Sequence, residues 1–201
     1  MILTSLIAFT SISIVGCGSG GGGSSSDTTP SNMTAIAPSD IKGSWKLESC
    51  TEDDGDGVKI DVLIEDGKES DIWYYFDSDT SCSNALSYTL EINTTNLYGP
   101  KINLTDANDA YNIDLTNHVL SMTPKNDSFA TDLNNAVVCG FTDWSKDITK
   151  NVTTCFNQGA DYDVYGVISG KLYWGNQDGA LDGSTSENRP NALETSVGFI
   201  R

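Results

Sequence analysis

The chain has 201 residues, of which 28 are Asp or Glu and 11 are Lys or Arg, so its formal net charge is −17 at pH 7. A surface this acidic repels the phosphates of nucleic acids and gains no counterion release from them, which excludes DNA or RNA as a partner. The charge remains compatible with a soluble secreted domain, with divalent cations or with a basic partner protein.

The first fifteen residues contain no charged side chain and are apolar or small at nearly every position. The stretch is shorter than the roughly 20 residues of a transmembrane helix and is typical of the apolar part of a secretory signal peptide. Residues 14–17 read Ile-Val-Gly-Cys and resemble the lipobox of bacterial lipoproteins. The resemblance implies that residues 1–16 are removed as a signal peptide and that Cys17 carries the lipid. The basic residue usual at the start of such a leader is absent, which is consistent with a start codon farther upstream.

Residues 17–38 follow the leader and begin with a run of Gly and Ser. Such a segment cannot bury a core and behaves as a flexible coil, so it is predicted to tether the domain at residues 39–201. Several acyl chains make the anchoring of lipoproteins stable, because each buried methylene contributes about 0.8 kcal/mol. Gly18 stands where enterobacterial lipoproteins retained at the inner membrane have Asp, so the resemblance implies the outer membrane, with its face left open.

Four cysteines remain in the predicted domain: Cys50, Cys82, Cys139 and Cys155. Four cysteines in an exported domain indicate two disulfides, with three pairings available. Pairing along the chain, Cys50 with Cys82 and Cys139 with Cys155, is favoured because it joins neighbouring strands of a meander. A zinc site is disfavoured, since the sequence has no C-x-x-C spacing and a single His.

From Ile41 onward apolar residues recur with period two, which is typical of β-strands. The clearest alternating sets are Ile60, Val62 and Ile64, then Ile72, Tyr74 and Phe76, and then Leu86, Tyr88, Leu90 and Ile92. Further candidate strands are residues 102–104, 111–115, 119–122, 137–141, 164–169, 172–174 and 196–201. Short strands separated by turns such as Asp66-Gly67 predict an all-β fold. We expect an antiparallel up-and-down barrel of about eight or more strands, or alternatively a β-sandwich. A short helical turn is expected only within residues 147–155 or 191–195.

A Gly-x-Trp sequence, Gly43-Ser44-Trp45, opens the first predicted strand. It resembles the signature of the lipocalins and the wider calycin group of up-and-down barrels. In that family the Trp packs at the closed end of the barrel and an Arg from a late strand lies across its ring. Here period two places Val197, Phe199 and Arg201 on one face, so Arg201 would meet Trp45 through a cation–π contact of about 0.5–2 kcal/mol.

No pattern of catalytic or metal-binding residues is complete. The acidic residues 53–57 fail as an EF-hand loop, because Leu63 stands where the bidentate Glu is required, and residues 176–183 show only a partial calcium pattern. His118 has no identifiable nucleophile or orienting group, and its nearest acid in sequence, Asp114, does not make a triad. No catalytic residue, metal or cofactor is therefore predicted, and the protein is not expected to be an enzyme.

Two functions are compatible with these observations. A lipid-anchored barrel of this kind would bind a small hydrophobic ligand or lipid in its mouth, lined by some of Trp45, Tyr74, Tyr88 and Trp174. Alternatively, the acidic domain would act as an interaction protein: an inhibitor steered electrostatically to a basic enzyme such as a lysozyme or a protease, or a surface adhesion factor.

Overall fold

Ten β-strands and one α-helix form the folded body in the computed structural model, which describes residues 32–106, 108–156, 159–178 and 180–201. The strands are β1 (Gly43–Leu47), β2 (Thr51–Asp53), β3 (Asp56–Glu65), β4 (Lys68–Phe76), β5 (Tyr88–Asn103), β6 (Asp109–Pro124), β7 (Lys150–Asn151), β8 (Asp161–Ile168), β9 (Lys171–Tyr173) and β10 (Phe199–Ile200). The helix α1 spans Asp127–Asn135, and single 3-10 turns span Val138–Gly140 and Ser186–Asn188.

Eight of the strands close into an antiparallel barrel, because β1 pairs with β10 on one side and with β3 on the other. The ring runs in the order β1, β10, β9, β8, β6, β5, β4, β3. The strands β2 and β7 lie outside it, paired to β3 and β6. Closure leaves no free edge in the ring. The predicted all-β, antiparallel up-and-down barrel is confirmed, and the alternative of a β-sandwich is wrong.

The inward face of each strand follows the period of two. In β3 the buried hydrophobic residues are Val58, Ile60, Val62 and Ile64. In β4 the inward positions are Glu69, Asp71, Trp73 and Tyr75, since they stand opposite these four residues in the ladder. The face of Ile72, Tyr74 and Phe76 therefore points outward. Because β4 is apolar on both faces near its end, its alternation alone does not show which face is inward.

One end of the barrel, called the first end, is closed by Trp45, whose side chain is 1% exposed. Its indole nitrogen donates to the carbonyl of Ile41 at 2.6 Å. The guanidinium carbon of Arg201 lies 4.5 Å from the centre of the Trp45 ring, and its Nη2 donates to the carbonyl oxygens of Asp40 and Lys42 at 3.0 and 3.3 Å. The contact expected between Trp45 and Arg201 is therefore present.

The other end is covered by α1, which packs Phe129, Ala130 and Leu133 against the barrel. Asn126 caps the helix, because its side-chain oxygen accepts from the backbone N–H of Phe129 at 2.7 Å. The helix was not expected, and residues 150–151, inside the segment where a helical turn was expected, form β7 instead. The predicted strand at 137–141 is a 3-10 turn, with Val137 and Cys139 in the left-handed region at φ 52° and 55°.

The two disulfides join Cys50 to Cys82 and Cys139 to Cys155, with Cα–Cα distances of 5.9 and 5.3 Å. This is the pairing favoured from chain order. The first links the segment after β1 to the loop between β4 and β5. The second links the 3-10 turn that follows α1 to the segment after β7.

The folded body starts before residue 39, where the tether was predicted to end. The backbone of Thr34 exchanges two hydrogen bonds with Tyr98, at 2.9 and 2.7 Å. Ala37 is buried, and its N–H donates to Asp66 Oδ1 at 3.0 Å. Residues 34–38 thus belong to the domain. Cys17 and the predicted signal peptide at 1–16 lie outside the described residues. Within the described ranges, no helix has the length and apolar character needed to traverse a bilayer.

Candidate ligand-binding site

The interior of the barrel carries a layer of acidic residues on two facing strands. Glu69 and Asp71 are successive inward positions of β4, and Asp163 is buried on β8. Burying a carboxyl group is unfavourable unless hydrogen bonds or opposite charges compensate it. The partners of each carboxyl therefore indicate which of them is structural and which is available to a ligand.

Glu69 has a partner for each of its oxygens. The hydroxyl of Tyr165 on β8 donates to Oε1 at 2.8 Å, and Asn96 Nδ2 donates to Oε2 at 3.1 Å. Thr94 in turn donates to Asn96 Oδ1 at 2.6 Å. These bonds tie β4, β5 and β8 together across the interior, so Glu69 is held firmly in place.

One oxygen of Asp163 is paired with backbone groups. Its Oδ1 accepts from its neighbour Val164 at 2.7 Å and from Gly175 at 3.0 Å. Gly175 is required there, because a Cβ at that position would collide with the Asp163 carboxylate. Burial raises the pKa of Asp163 well above its ordinary value, and the neighbouring Asp161 acts in the same direction.

Asp71 differs from these two because its Oδ1 is buried without any partner. Burial raises the pKa of Asp71 from 3.8 to about 7, opposed by a hydrogen bond from Glu69. Burial is also the largest cause that raises the pKa of Glu69 well above its ordinary value, followed by the charge of Asp71. Burial and the proximity of the two groups therefore keep the Glu69–Asp71 pair protonated to a higher pH than free carboxyl groups.

Aromatic rings form a column from α1 to this acidic layer. Phe129 of α1 stacks on Tyr88 at a ring-centre distance of 4.6 Å, and Tyr88 stacks on Tyr75 at 4.4 Å. Tyr75 is followed by Trp73 at 6.3 Å, and Trp73 by Trp174 at 6.3 Å. The ring centre of Trp174 lies 6.1 Å from that of Tyr165 on β8 and 4.5 Å from that of Phe199 on β10.

Two of these rings have unpartnered polar atoms. The indole nitrogens of Trp73 and Trp174 are buried and make no hydrogen bond, as is the case for Asp71 Oδ1. Buried polar groups of folded proteins are nearly always paired. Asp71, Trp73 and Trp174 are each half-buried as whole residues, so part of each residue borders solvent. One carboxylate acceptor and two indole donors beside flat apolar faces make a site that can hold a small molecule by hydrogen bonding and stacking.

The predicted lining and barrel-closing residues lie in different parts of the barrel. Trp174 lies in the site, and Tyr88 lies in the aromatic column but is held between Tyr75 and Phe129. Trp45 and Arg201 close the first end of the barrel. Tyr74 was predicted as lining and lies on the outer face, where its hydroxyl donates to Asp61 Oδ2 at 3.2 Å. That prediction was wrong because neighbouring residues of a strand face opposite sides, and Trp73 and Tyr75 take the inner one.

Sequence reasoning missed Glu69, Asp71, Asp163 and Tyr165. The available signal was the alternation of β4, which places Glu69 and Asp71 on the same face as Trp73. Acidic residues are expected on the solvent side of a strand, and this expectation concealed the inward face.

The other singled-out polar residues have structural partners or stand apart. Asp114 binds Arg189 at 2.5 Å in a buried ion pair, so it does not orient His118. Burial lowers the pKa of His118. Asp56, from the acidic turn, accepts from the N–H of Ser78 at 2.8 Å. In the described part of the chain, no three His, Cys, Asp or Glu side chains converge in a geometry suited to a metal ion.

Comparison with protein-family models gives no match for this chain, and no curated protein sequence is significantly similar to it.

Proposed function

We propose that this protein is a membrane-anchored lipoprotein whose barrel binds a small molecule beside Trp73, Trp174 and Asp71. The observation that carries the binding role is the group of three buried, unpartnered polar atoms on these residues. Leaving such atoms unpaired costs about 1–3 kcal/mol each. A bound molecule that pairs with them recovers this free energy.

The lining also limits the kind of ligand. Stacked rings favour a compound with a flat or compact apolar body, in agreement with the expected hydrophobic ligand. A plain acyl chain would cover the rings but leave Asp71 Oδ1 and both indole N–H groups unpaired. We therefore favour an apolar molecule that also carries a hydrogen-bond donor and an acceptor over a simple fatty acid.

Native mass spectrometry of the protein purified from its own membranes tests the binding role. We expect a non-covalent small molecule that is released on unfolding. The variants Trp73→Phe and Trp174→Phe, which remove one indole N–H each, should reduce its occupancy. Trp144→Phe is the matched control, because Trp144 is buried near α1 and its N–H has a partner, the carbonyl of Val138 at 3.3 Å. A protein that is always empty and whose Tm no compound in a chemically diverse panel raises would contradict the proposal.

The membrane anchor rests on the lipobox-like sequence at residues 14–17 and is tested separately. Metabolic labelling with palmitate should mark the wild-type protein and leave Cys17→Ser unmarked. The serine variant should also leave the membrane fraction. Equal labelling or equal fractionation of the two proteins would argue against the anchor without bearing on the barrel.

A further inference from the structure

Among the described residues, no basic side chain forms an ion pair with the carboxyl groups inside the barrel, which are those of Glu69, Asp71 and Asp163. Arg189 contacts β8, but it donates to the carbonyl oxygens of Ile113 and Asp163 and to the Asp114 carboxylate. An unpaired buried charge is strongly unfavourable, so a cation from outside the chain would be favoured in this interior.

Asp71 is the residue that can receive it. Both oxygens of Glu69 accept hydrogen bonds from Tyr165 and Asn96, and Asp163 is bound by backbone N–H groups. Only Asp71 among these three keeps a buried oxygen without a partner. A charge-assisted hydrogen bond to this oxygen would be stronger than a neutral one.

The neighbouring rings suit the same ligand. Trp73 is the next inward residue after Asp71 on β4, and Trp174 stacks on it with an interplanar angle of 25°. The face of a Trp ring attracts cations more strongly than that of Tyr or Phe. A metal ion fits poorly, because no three ligating side chains converge within the described residues. A single carboxylate beside indole faces matches an organic ammonium group.

We infer that the ligand of this barrel carries an ammonium group on an apolar body, with the ammonium bound by Asp71 and the body packed on Trp73 and Trp174. This inference rests on the proposed function and specifies the chemical class of its ligand. A hydroxyl or carbonyl elsewhere on the ligand would accept from one of the indole N–H groups. The ionised Asp71 carboxylate would repel an anionic ligand.

Three probes of nearly equal shape separate charge from shape: 2-phenylethylamine, 2-phenylethanol and phenylacetate. Isothermal titration calorimetry on the full-length protein at pH 8, where Asp71 is ionised, should show the amine binding at least 10-fold more tightly than the alcohol. Phenylacetate should bind most weakly. In Asp71→Asn the preference for the amine over the alcohol should disappear, while Asp143→Asn, which changes an exposed carboxylate, should keep it.

The outcomes distinguish this inference from the function on which it rests. Equal binding of amine and alcohol by the wild type would overturn the ammonium assignment and leave small-molecule binding intact. The same holds if no probe binds while a small molecule co-purifies with the protein. Failure of every probe with a protein that is always purified empty would overturn both. The Tm and near-ultraviolet circular dichroism of Asp71→Asn establish that it is folded, and retained binding of the alcohol shows that its site is intact.

Discussion

Replacing Asp71 by Asn should make the folded protein more stable at neutral and alkaline pH. The side chain keeps its shape, but it no longer places a charge in the barrel interior. The pKa of Asp71 rises from 3.8 to about 7 on folding because burial disfavours the ionised form. At alkaline pH this difference corresponds to about 4 kcal/mol of lost stability, which the Asn variant should not suffer.

The direction of the pH dependence follows from the raised pKa. Well below pH 3.8 the carboxyl is protonated in both the folded and the unfolded chain, and its burial carries no ionisation cost. As the pH rises, the unfolded chain ionises first, so the free energy of unfolding falls until the folded carboxyl also ionises near pH 7. Between pH 5 and pH 8 the loss should be about 3 kcal/mol for this group alone.

Urea denaturation at several pH values from 5 to 8, on protein freed of ligand, measures this effect. The wild type should lose stability across the range, and Asp71→Asn should lose distinctly less. Asp143→Asn is the control, because Lys150 lowers the pKa of Asp143 and that carboxylate stays ionised throughout the range. Parallel curves for the wild type and Asp71→Asn would refute the conclusion that Asp71 ionises inside the barrel.

Three further sets of substitutions test a disulfide, a cation–π contact and a packed ring that stabilise the barrel. Replacing Cys139 and Cys155 by Ser opens a loop with a sequence separation of 16 and should reduce the free energy of unfolding by about 3 kcal/mol in urea titrations; an unchanged midpoint would contradict this. Arg201→Gln removes the contact with Trp45 and should cost about 1–2 kcal/mol by the same assay, whereas no loss would mean that the guanidinium is not held there in solution. Phe129→Ala removes the ring that ends the aromatic column, and a loss in Tm corresponding to about 3–5 kcal/mol is expected; a smaller effect would mean that α1 is not tightly packed.

The local patterns of the sequence predicted the fold class well. In β3, apolar residues alternate with polar ones, so its inward face, including Ile60, Val62 and Ile64, is unambiguous. In β4 the end of the strand is apolar on both faces, and alternation alone cannot choose between Trp73 and Tyr74. The choice is made by the ladder with β3 and β5, which places Trp73 opposite Ile60 and Leu90.

The helix α1 is a second feature that the local sequence pattern could not predict. The segment at 127–135 has only three buried residues, Phe129, Ala130 and Leu133, and its polar composition gives a weak periodic signal. Its packing on the barrel end stabilises it, since short helices depend on tertiary contacts more than on propensity. This is why the helix was absent from the prediction while the strands were present.

The sequence by itself determined the alternating strands, the acidic composition, and the Gly-x-Trp start that led to the Trp45–Arg201 contact. These properties depend on short stretches of sequence, or on one pair of residues near the two ends of the predicted domain. Only the tertiary structure decided that Glu69, Asp71, Asp163 and Tyr165 meet inside the barrel. The physical reason is that these carboxyls are buried by strands whose contacting residues lie as much as 96 positions apart in the chain. A local sequence pattern cannot show contacts between residues so far apart, and it is this burial that raises the pKa of the carboxyls.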